Sequence, residues 1–414
     1  MKRFLAPVGV RVSFAQLFRA AMMAGARSQS PRSLANFGSG LGVRSVFGAS
    51  SARAALCLTL RALHRLEPER DVVAVPAYTC FSVAAAVVRA GLKIHPLEVV
   101  PETLDFDYQE LEAMPAERLL CIITANLFGL VNDVPQVSEI AHSKGAFVID
   151  DAAQALGAIR DNRPSGTAGD VGIFSLGRGK PLPAAEGGLI VTGSEKIAGV
   201  LRTETQSLPA CSVARELELL FHAVAGSMFL VPSLYWIPNS MKFLKLGVTE
   251  FDPAFAMDKL SRVSDALLLQ LMSSLPDLNQ SRVQRANQLA AALGKNAHFS
   301  IPAVPRGCQP TYLRFPLLAK DQATRDRAVQ DLWRAGIGAT PFYPSAICDL
   351  EGISRHMAVP NFHRPNAEEI SRRLLTLPTH QFVQQQHLKR MCDILADAPV
   401  GRLRPSKLVP VQPS

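Results

Sequence analysis

With 414 residues, 48 % of them apolar and 19 % charged, the chain has material for two domains and a large core, and is too apolar to stay unfolded. The net charge of +9 is spread without dense blocks or interleaved aromatics, which argues against a nucleic-acid binder and leaves anionic small molecules or an acidic membrane surface as partners. Seven scattered cysteines with no C-x-x-C argue against a disulfide framework or zinc site and suit a cytoplasmic enzyme with reduced thiols.

Residues 1–45 are basic and Ser/Arg-rich around Arg27–Ser33, with an apolar helical patch at Phe14–Met23. They are expected to form an N-terminal arm with one helix packing on the rest of the protein. The start, Met1-Lys2-Arg3-Phe4-Leu5, has no long apolar run behind it, so a signal peptide is not expected. Gly48-Ala49-Ser50-Ser51 then opens a helical pattern over Ala52–Leu66, with Leu56, Leu60 and Leu63 on one stripe. A small-residue turn feeding a helix N-terminus is a seat for phosphate, because unpaired N–H groups and the helix dipole point at the anion. An ordinary N-cap serine is the plainer alternative there. Strands and helices follow in alternation: Val72–Pro76, helix Phe81–Ala90, Lys93–Val99, a helix near Tyr108–Met114, Leu119–Ala125, helix Val134–Lys144 and Ala146–Ile149. That order implies a mostly parallel sheet with right-handed crossovers. Strands apolar throughout, such as Leu119–Ile123, suit a sheet covered on both faces.

The chemistry concentrates in 146–192. Ala146–Ile149 runs into Asp150-Asp151-Ala152-Ala153-Gln154; Val171–Phe174 runs into Ser175, with Lys180 five positions on; Glu186-Gly187 leads into a third strand, Gly188–Thr192. Ligands of open α/β sheets bind beyond the carboxyl ends of the strands, so a carboxylate, a hydroxyl and a lysine would meet in one pocket. A lysine amine can condense with an aldehyde. A carboxylate facing a pyridine nitrogen keeps that ring protonated, the pairing used for pyridoxal phosphate. A serine in a glycine-rich turn can hold a phosphate.

The run D-D-A-A-Q-A-L-G-A, then G-x-x-G-D-V-G-x-F-S, then the lysine and E-G-G resembles the DegT-type nucleotide-sugar aminotransferases, pyridoxal-phosphate enzymes of fold type I. The resemblance covers roughly residues 45–395. It implies an α/β large domain, residues 46–250, with a mostly parallel central sheet and helices on both faces, and a smaller C-terminal α+β domain, residues 251–414. It implies that Asp151, rather than Asp150, faces the ring nitrogen, that Gln154 lies at the ring face or its phenolic oxygen, and that Ser175 binds the phosphate. Lys180 is then the residue joined to the cofactor aldehyde and the proton shuttle. Some relatives that lost that lysine are dehydratases, so its presence favours amino transfer. Ser51, Ala52 and Arg53 stand where the family has Ser-Gly-Thr; the backbone donors survive, and Arg53 replaces a hydroxyl, facing either phosphate or solvent. Cys80 stands where many members carry an aromatic beside the ring, and Asn126 where histidine is common. No asparagine occurs at Phe255-Ala256-Met257-Asp258, where the family places one that reaches the partner subunit's phosphate. A homodimer, a nucleotide-sugar substrate and an amino-acid donor, glutamate by analogy, are also implied. A sugar dehydratase or isomerase, or a non-catalytic scaffold in membrane-associated glycan assembly, are the competing readings.

Leu219–Met241 contains no Asp, Glu, Lys or Arg. Its length would span a bilayer, but Pro232, Pro238, Gly226 and His222 interrupt it. A buried interface or covering segment, or a hairpin lying on the inner leaflet, are the stronger expectations. Residues 252–297 read as a long helical pattern. Arg314–Leu318, a helix Arg325–Arg334, Phe342-Tyr343-Pro344 and Leu377-Pro378-Thr379-His380 resemble the family's small domain, with the Tyr-Pro loop facing substrate and His380 structural.

Overall fold

A computed structural model describes residues 4–26, 32–240 and 250–396. A seven-stranded sheet forms its centre: β1 Ser45–Ala49, β2 Val72–Pro76, β3 Lys93–Leu97, β4 Leu119–Ala125, β5 Phe147–Asp151, β6 Val171–Ser175 and β7 Gly188–Thr192, in the spatial order β1-β7-β6-β5-β4-β2-β3. Only β7 runs against its neighbours β1 and β6; the remaining pairs are parallel. Every residue of β2, β4, β6 and β7 is buried, as a sheet covered on both faces requires. This is the architecture of fold type I, and the chain's mostly parallel sheet agrees with the sequence expectation.

That topology brings the chemistry to one edge. β1, β2, β4, β5 and β6 all finish there, while β7 starts there. The turns after Ala49, Pro76, Ala125, Asp151 and Ser175 therefore cluster beside Gly188.

The C-terminal part adds a three-stranded antiparallel sheet, Phe299–Ser300, Phe315–Ala319 and Leu374–Leu377, flanked by helices Leu275–Leu293, Gln322–Arg334, Pro365–Arg373 and Gln385–Ala396. The long helical pattern of 252–297 is divided. Ser261 caps a helix Arg262–Leu271, a 3-10 turn follows, and Pro276 opens a second helix, Leu275–Leu293. Val263, Leu267 and Leu271 of the first helix pack with Phe174 and Leu189 of the large sheet, so this helix shares the core of the large domain.

The N-terminal region holds more structure than an arm with one helix. Besides Phe14–Gly25 there is a second helix, Arg32–Leu41, and β1 begins at Ser45. Ahead of them Leu5 donates its N–H to Gly336 O at 2.8 Å and accepts from Gly338 N at 2.9 Å, tying the N-terminal segment to the small domain. The apolar segment from Leu219 splits too. Its first part continues the helix Val213–Phe229, and a short helix Trp236–Ser240 follows. Among the described residues no helix is long and apolar enough to cross a membrane.

Candidate active site

The two adjacent aspartates at the end of β5 point to opposite sides of the sheet, as strand residues must. Asp150 is fully buried; it accepts from Asn126 Nδ2 at 2.6 Å and from Gly166 N at 2.7 Å. Burial pushes its carboxyl up to about 6 and those donors pull it back. Asn126 is itself held by Asn132, whose N–H donates to its Oδ1 at 2.9 Å. Asp150 is thus committed to holding the loop around Gly166. Asp151 is half-buried in the cleft. Its Oδ1 accepts from Ala153 N–H at 2.9 Å, and its Oδ2 accepts no hydrogen bond among the described residues. Burial raises its pKa, while the Ala153 N–H and the charge of Lys180 lower it. Asp151 and Lys180 therefore lie within electrostatic reach of each other.

Lys180 follows β6 through a tight turn in which its N–H donates to Gly177 O at 3.2 Å. A Cβ added to Gly177 would lie 3.5 Å from Ser175 Oγ and 4.0 Å from Lys180 Cγ, so the two side chains flank that glycine. Gly179 has φ +74°, and a Cβ there would lie 2.9 Å from Val8 Cγ1, which places the N-terminal segment directly against the lysine turn.

Gln154 lies in the turn after β5. Its Oε1 accepts from Phe128 N–H at 3.2 Å and its Nε2 donates to the Tyr343 hydroxyl at 3.1 Å. Tyr343 comes from the small domain and is packed against Tyr78 at 5.7 Å between ring centroids. Burial first, then the neighbouring Cys80 thiol and the Asp151 charge, hold the Tyr343 phenol well above its ordinary pKa. Gln154, Cys80 and Asp151 thereby lie around the Tyr343 phenol, with Lys180 within electrostatic reach of Asp151.

At the other end of the cleft, Ser51 caps the helix Ala52–Leu66, its Oγ accepting from Ala54 N at 3.2 Å. The N–H groups of Ala52 and Arg53 have no partner within the helix and remain as donors at its positive end. The strand register aligns Ala49 with Gly188 and Gly188 with Ser175, so the turn and the serine hydroxyl flank the same glycine. A Cβ on Gly188 would fall 2.4 Å from Ser51 O; the close approach of the turn to β7 admits no side chain. The Arg53 guanidinium lies over the Phe255 ring, 5.3 Å from its centroid, and Arg89 lies 4.8 Å from the same ring. Beside it is a cavity of about 440 Å³ lined by Ser51, Arg53, Glu186, Arg215 and Asp258. Neither Lys180 nor Asp151 lines that cavity, which opens beside Ser51 and Arg53 at the helix N-terminus.

Two residues of this neighbourhood receive no role from the sequence. Asn126 buttresses Asp150, a role no motif spacing reveals. Arg314, at the start of the strand Phe315–Ala319, donates Nη1 to Thr340 Oγ1 at 2.9 Å and lies 5.3 Å over the Phe342 ring, which packs 4.2 Å from Tyr343. No carboxylate pairs with it among the described residues, and burial lowers its pKa to about 10. A lone cation inside the apolar run Tyr312–Leu318 was the available signal.

The donor set fits pyridoxal phosphate: a carboxylate with an open oxygen, a lysine within electrostatic reach of it, and a hydroxyl beside a helix N-terminus from which side chains are excluded at Gly188.

The sequence profile of the DegT/DnrJ/EryC1/StrS aminotransferase family matches residues 31–396. The chain is 26 % identical over 355 residues, 86 % of its length and 84 % of the relative's, to the UDP-N-acetyl-3-dehydro-alpha-D-glucosamine 3-aminotransferase of Acidithiobacillus ferrooxidans. It is 22 % identical over 333 residues, 78 % of its length and 79 % of the relative's, to the GDP-4-keto-6-deoxy-D-mannose 3-dehydratase of Yersinia pseudotuberculosis. The fold superimposes on the Helicobacter pylori PseC aminotransferase with a TM-score of 0.77 at 16 % identity, covering 96 % of this chain and 99 % of the other.

Proposed function

The chain belongs to the DegT/DnrJ/EryC1/StrS aminotransferase family, whose members use pyridoxal phosphate, and we propose that it passes an amino group from glutamate to the ketone of a nucleotide-linked sugar in glycan precursor synthesis. The observation that carries this reading is that half-buried Asp151, with an open carboxylate oxygen, lies within electrostatic reach of half-buried Lys180. When bound, the cofactor supplies an electron-withdrawing pyridinium and an aldehyde carbon that stores the amine between the two half-reactions.

In this reading each residue has a separate task. Asp151 would hold the ring nitrogen protonated through its open Oδ2. Ser175, with the N–H groups of Ala52 and Arg53, would hold the phosphate, and Gln154 and Cys80 would flank the ring. Lys180 Nζ would anchor the aldehyde, take the α-proton from the donor and deliver a proton to the sugar carbon that receives nitrogen. Arg314, a half-buried cation with no carboxylate partner among the described residues, would pair with the donor's carboxylate. The working unit is a homodimer. Its setting is the cytoplasm.

The A. ferrooxidans relative favours a UDP-linked 3-keto-sugar as the first substrate to try. The test is to incubate the pure protein with glutamate and a panel of nucleotide keto-sugars, following 2-oxoglutarate and aminated sugar by mass spectrometry. Deoxygenated sugar without 2-oxoglutarate would shift the assignment to the dehydratase reading, which the Yersinia relative keeps in view. Arg314→Ala should raise the KM for glutamate about 10- to 100-fold, the loss of one charged hydrogen bond. Its reaction with the keto-sugar, started from the aminated cofactor, should change far less.

A further inference from the structure

The helices Phe14–Gly25 and Val213–Phe229 both pack on the helix Arg262–Leu271 and on each other, forming one layer over the large domain. Each buries one face and leaves an apolar stripe outside. On the first, Leu17 and Ala20 are buried while Phe14, Phe18 and Met22, spaced four apart, are exposed, Phe18 by 68 % and Met22 by 62 %. On the second, Val213, Leu217, Phe221, Val224 and Met228 form the exposed stripe, with Phe221 at 68 %.

The outward turn of the second helix is imposed by chemistry on its other side. Glu216 is buried and accepts from the N–H groups of Arg262 and Val263 at 2.8 and 3.0 Å, capping the helix Arg262–Leu271. The first helix is oriented by a capping box, Ser13 with Gln16, and by Gln16 Nε2 donating to Gln270 O at 3.3 Å. With both helices fixed in this way, neither can turn its apolar stripe into the core.

Charge identifies the occupant. The chain has no Asp or Glu before Glu67, and the first 66 residues carry ten Lys or Arg, more than the net charge of +9 of the entire chain. Arg11 and Arg19 are exposed beside the stripe of Phe14, Phe18 and Met22. From Leu219 to Thr249 there is again no acid. The exposed acid of the second helix, Glu218, is paired with Arg215 at 2.8 Å. A two-fold contact of this face with its own copy would bring the acid-free, basic helix against a surface of the same kind. An apolar stripe bordered by arginines instead matches acyl chains beneath anionic headgroups.

We propose that the layer formed by Phe14–Gly25 and Val213–Phe229 docks the enzyme on an anionic lipid surface, with Phe14, Phe18, Leu217 and Phe221 entering the acyl boundary and Arg11 and Arg19 meeting phosphate headgroups. The proposal is independent of which sugar is aminated. It also extends the lipid contact expected of 219–241: Phe221, Val224 and Met228 of that segment are exposed, Leu219 is buried, and the rest of the face comes from Val213, Leu217 and the N-terminal helix.

The test is flotation of the full-length, cofactor-loaded protein with vesicles of phosphatidylcholine alone or mixed with phosphatidylglycerol, alongside light scattering of the free protein. Wild type should float with the anionic vesicles. Phe18→Ser/Phe221→Ser should lower that partition at least about tenfold, with molecular mass and visible absorbance unchanged. Arg11→Gln/Arg19→Gln should remove the preference for anionic over neutral vesicles. The proposal is overturned by absence from both vesicle fractions, by equal partition of wild type into neutral vesicles, or by a wild-type dimer that splits when the two phenylalanines are replaced, which would make the face a contact between copies.

Discussion

The two ends of the cleft are built on different principles. At the proposed ring end the candidate side chains are each locked by others: Asp150 by Asn126 and Gly166, Gln154 by Phe128 and Tyr343, Asp151 by Ala153. At the proposed phosphate end the available donors are mostly backbone N–H groups at a helix terminus, supplemented by one hydroxyl, Ser175. A locked side-chain network tolerates little exchange, because removing one member leaves buried polar partners unpaired. A backbone cradle requires only the turn and the close approach at Gly188. That difference explains how Arg53 can occupy a hydroxyl position and turn its guanidinium onto Phe255 without disturbing the donors.

The contrast is broken most directly at Lys180. Lys180→Ala should lower turnover by more than about 10³-fold and abolish the visible band of the lysine-bound cofactor, read by absorbance. Retained turnover would remove the ring end from the chemistry. Asp151→Asn, nearly isosteric, should lower kcat by about 10²- to 10³-fold with a smaller change in cofactor affinity; a matching loss from Asp150→Asn with unchanged stability would reverse the assignment between the two aspartates. At the phosphate end, Ser175→Ala should weaken cofactor binding about tenfold, one charged hydrogen bond. Arg53→Ala should change it less than about threefold, since its N–H is retained. Equilibrium titration of the apoenzyme reads both, and a larger effect at Arg53 would show that the guanidinium turns to the anion.

The smallest effect concerns the N-terminal segment that rests on the lysine turn. His380 is buried, its Nε2–H donating to Ala6 O at 2.8 Å and its Nδ1 accepting from Phe382 N at 3.3 Å. Burial pushes its pKa from 6.5 down to about 4. The folded state binds the proton less readily than the unfolded chain. The stabilisation is therefore full above about 6.5 and is lost as pH falls towards about 4. Melting temperatures at pH 7.5 and pH 5 should fall further for wild type than for His380→Gln.

Much of the fold and the ring end were legible in the chain. Strands β2, β4 and β7 and the helix Ala52–Leu66 have the bounds their periodicity indicates, because an all-apolar run between turn residues has few other ways to bury itself. The preference for Asp151 over Asp150 came from a motif, and the alternation of strand side chains gives it a physical reason. Other features depended on distant partners. The helix Arg32–Leu41 carries a weak pattern of small residues and was not recognised. Arg314 looked like one cation among many until Phe342 and Thr340 were brought against it.

The sequence by itself determined the order of elements, the apolar layers and the residue types offered at the strand ends, since these follow from local periodicity and turn chemistry. Only the tertiary structure decided which of those residues share a cleft, that Tyr343 reaches Gln154 from the small domain, and that the helices Phe14–Gly25 and Val213–Phe229 turn their apolar stripes outward. The reason is that an amphipathic pattern fixes how side chains are distributed around an element, whereas the cap that Glu216 places on a distant helix fixes which of its faces meets solvent.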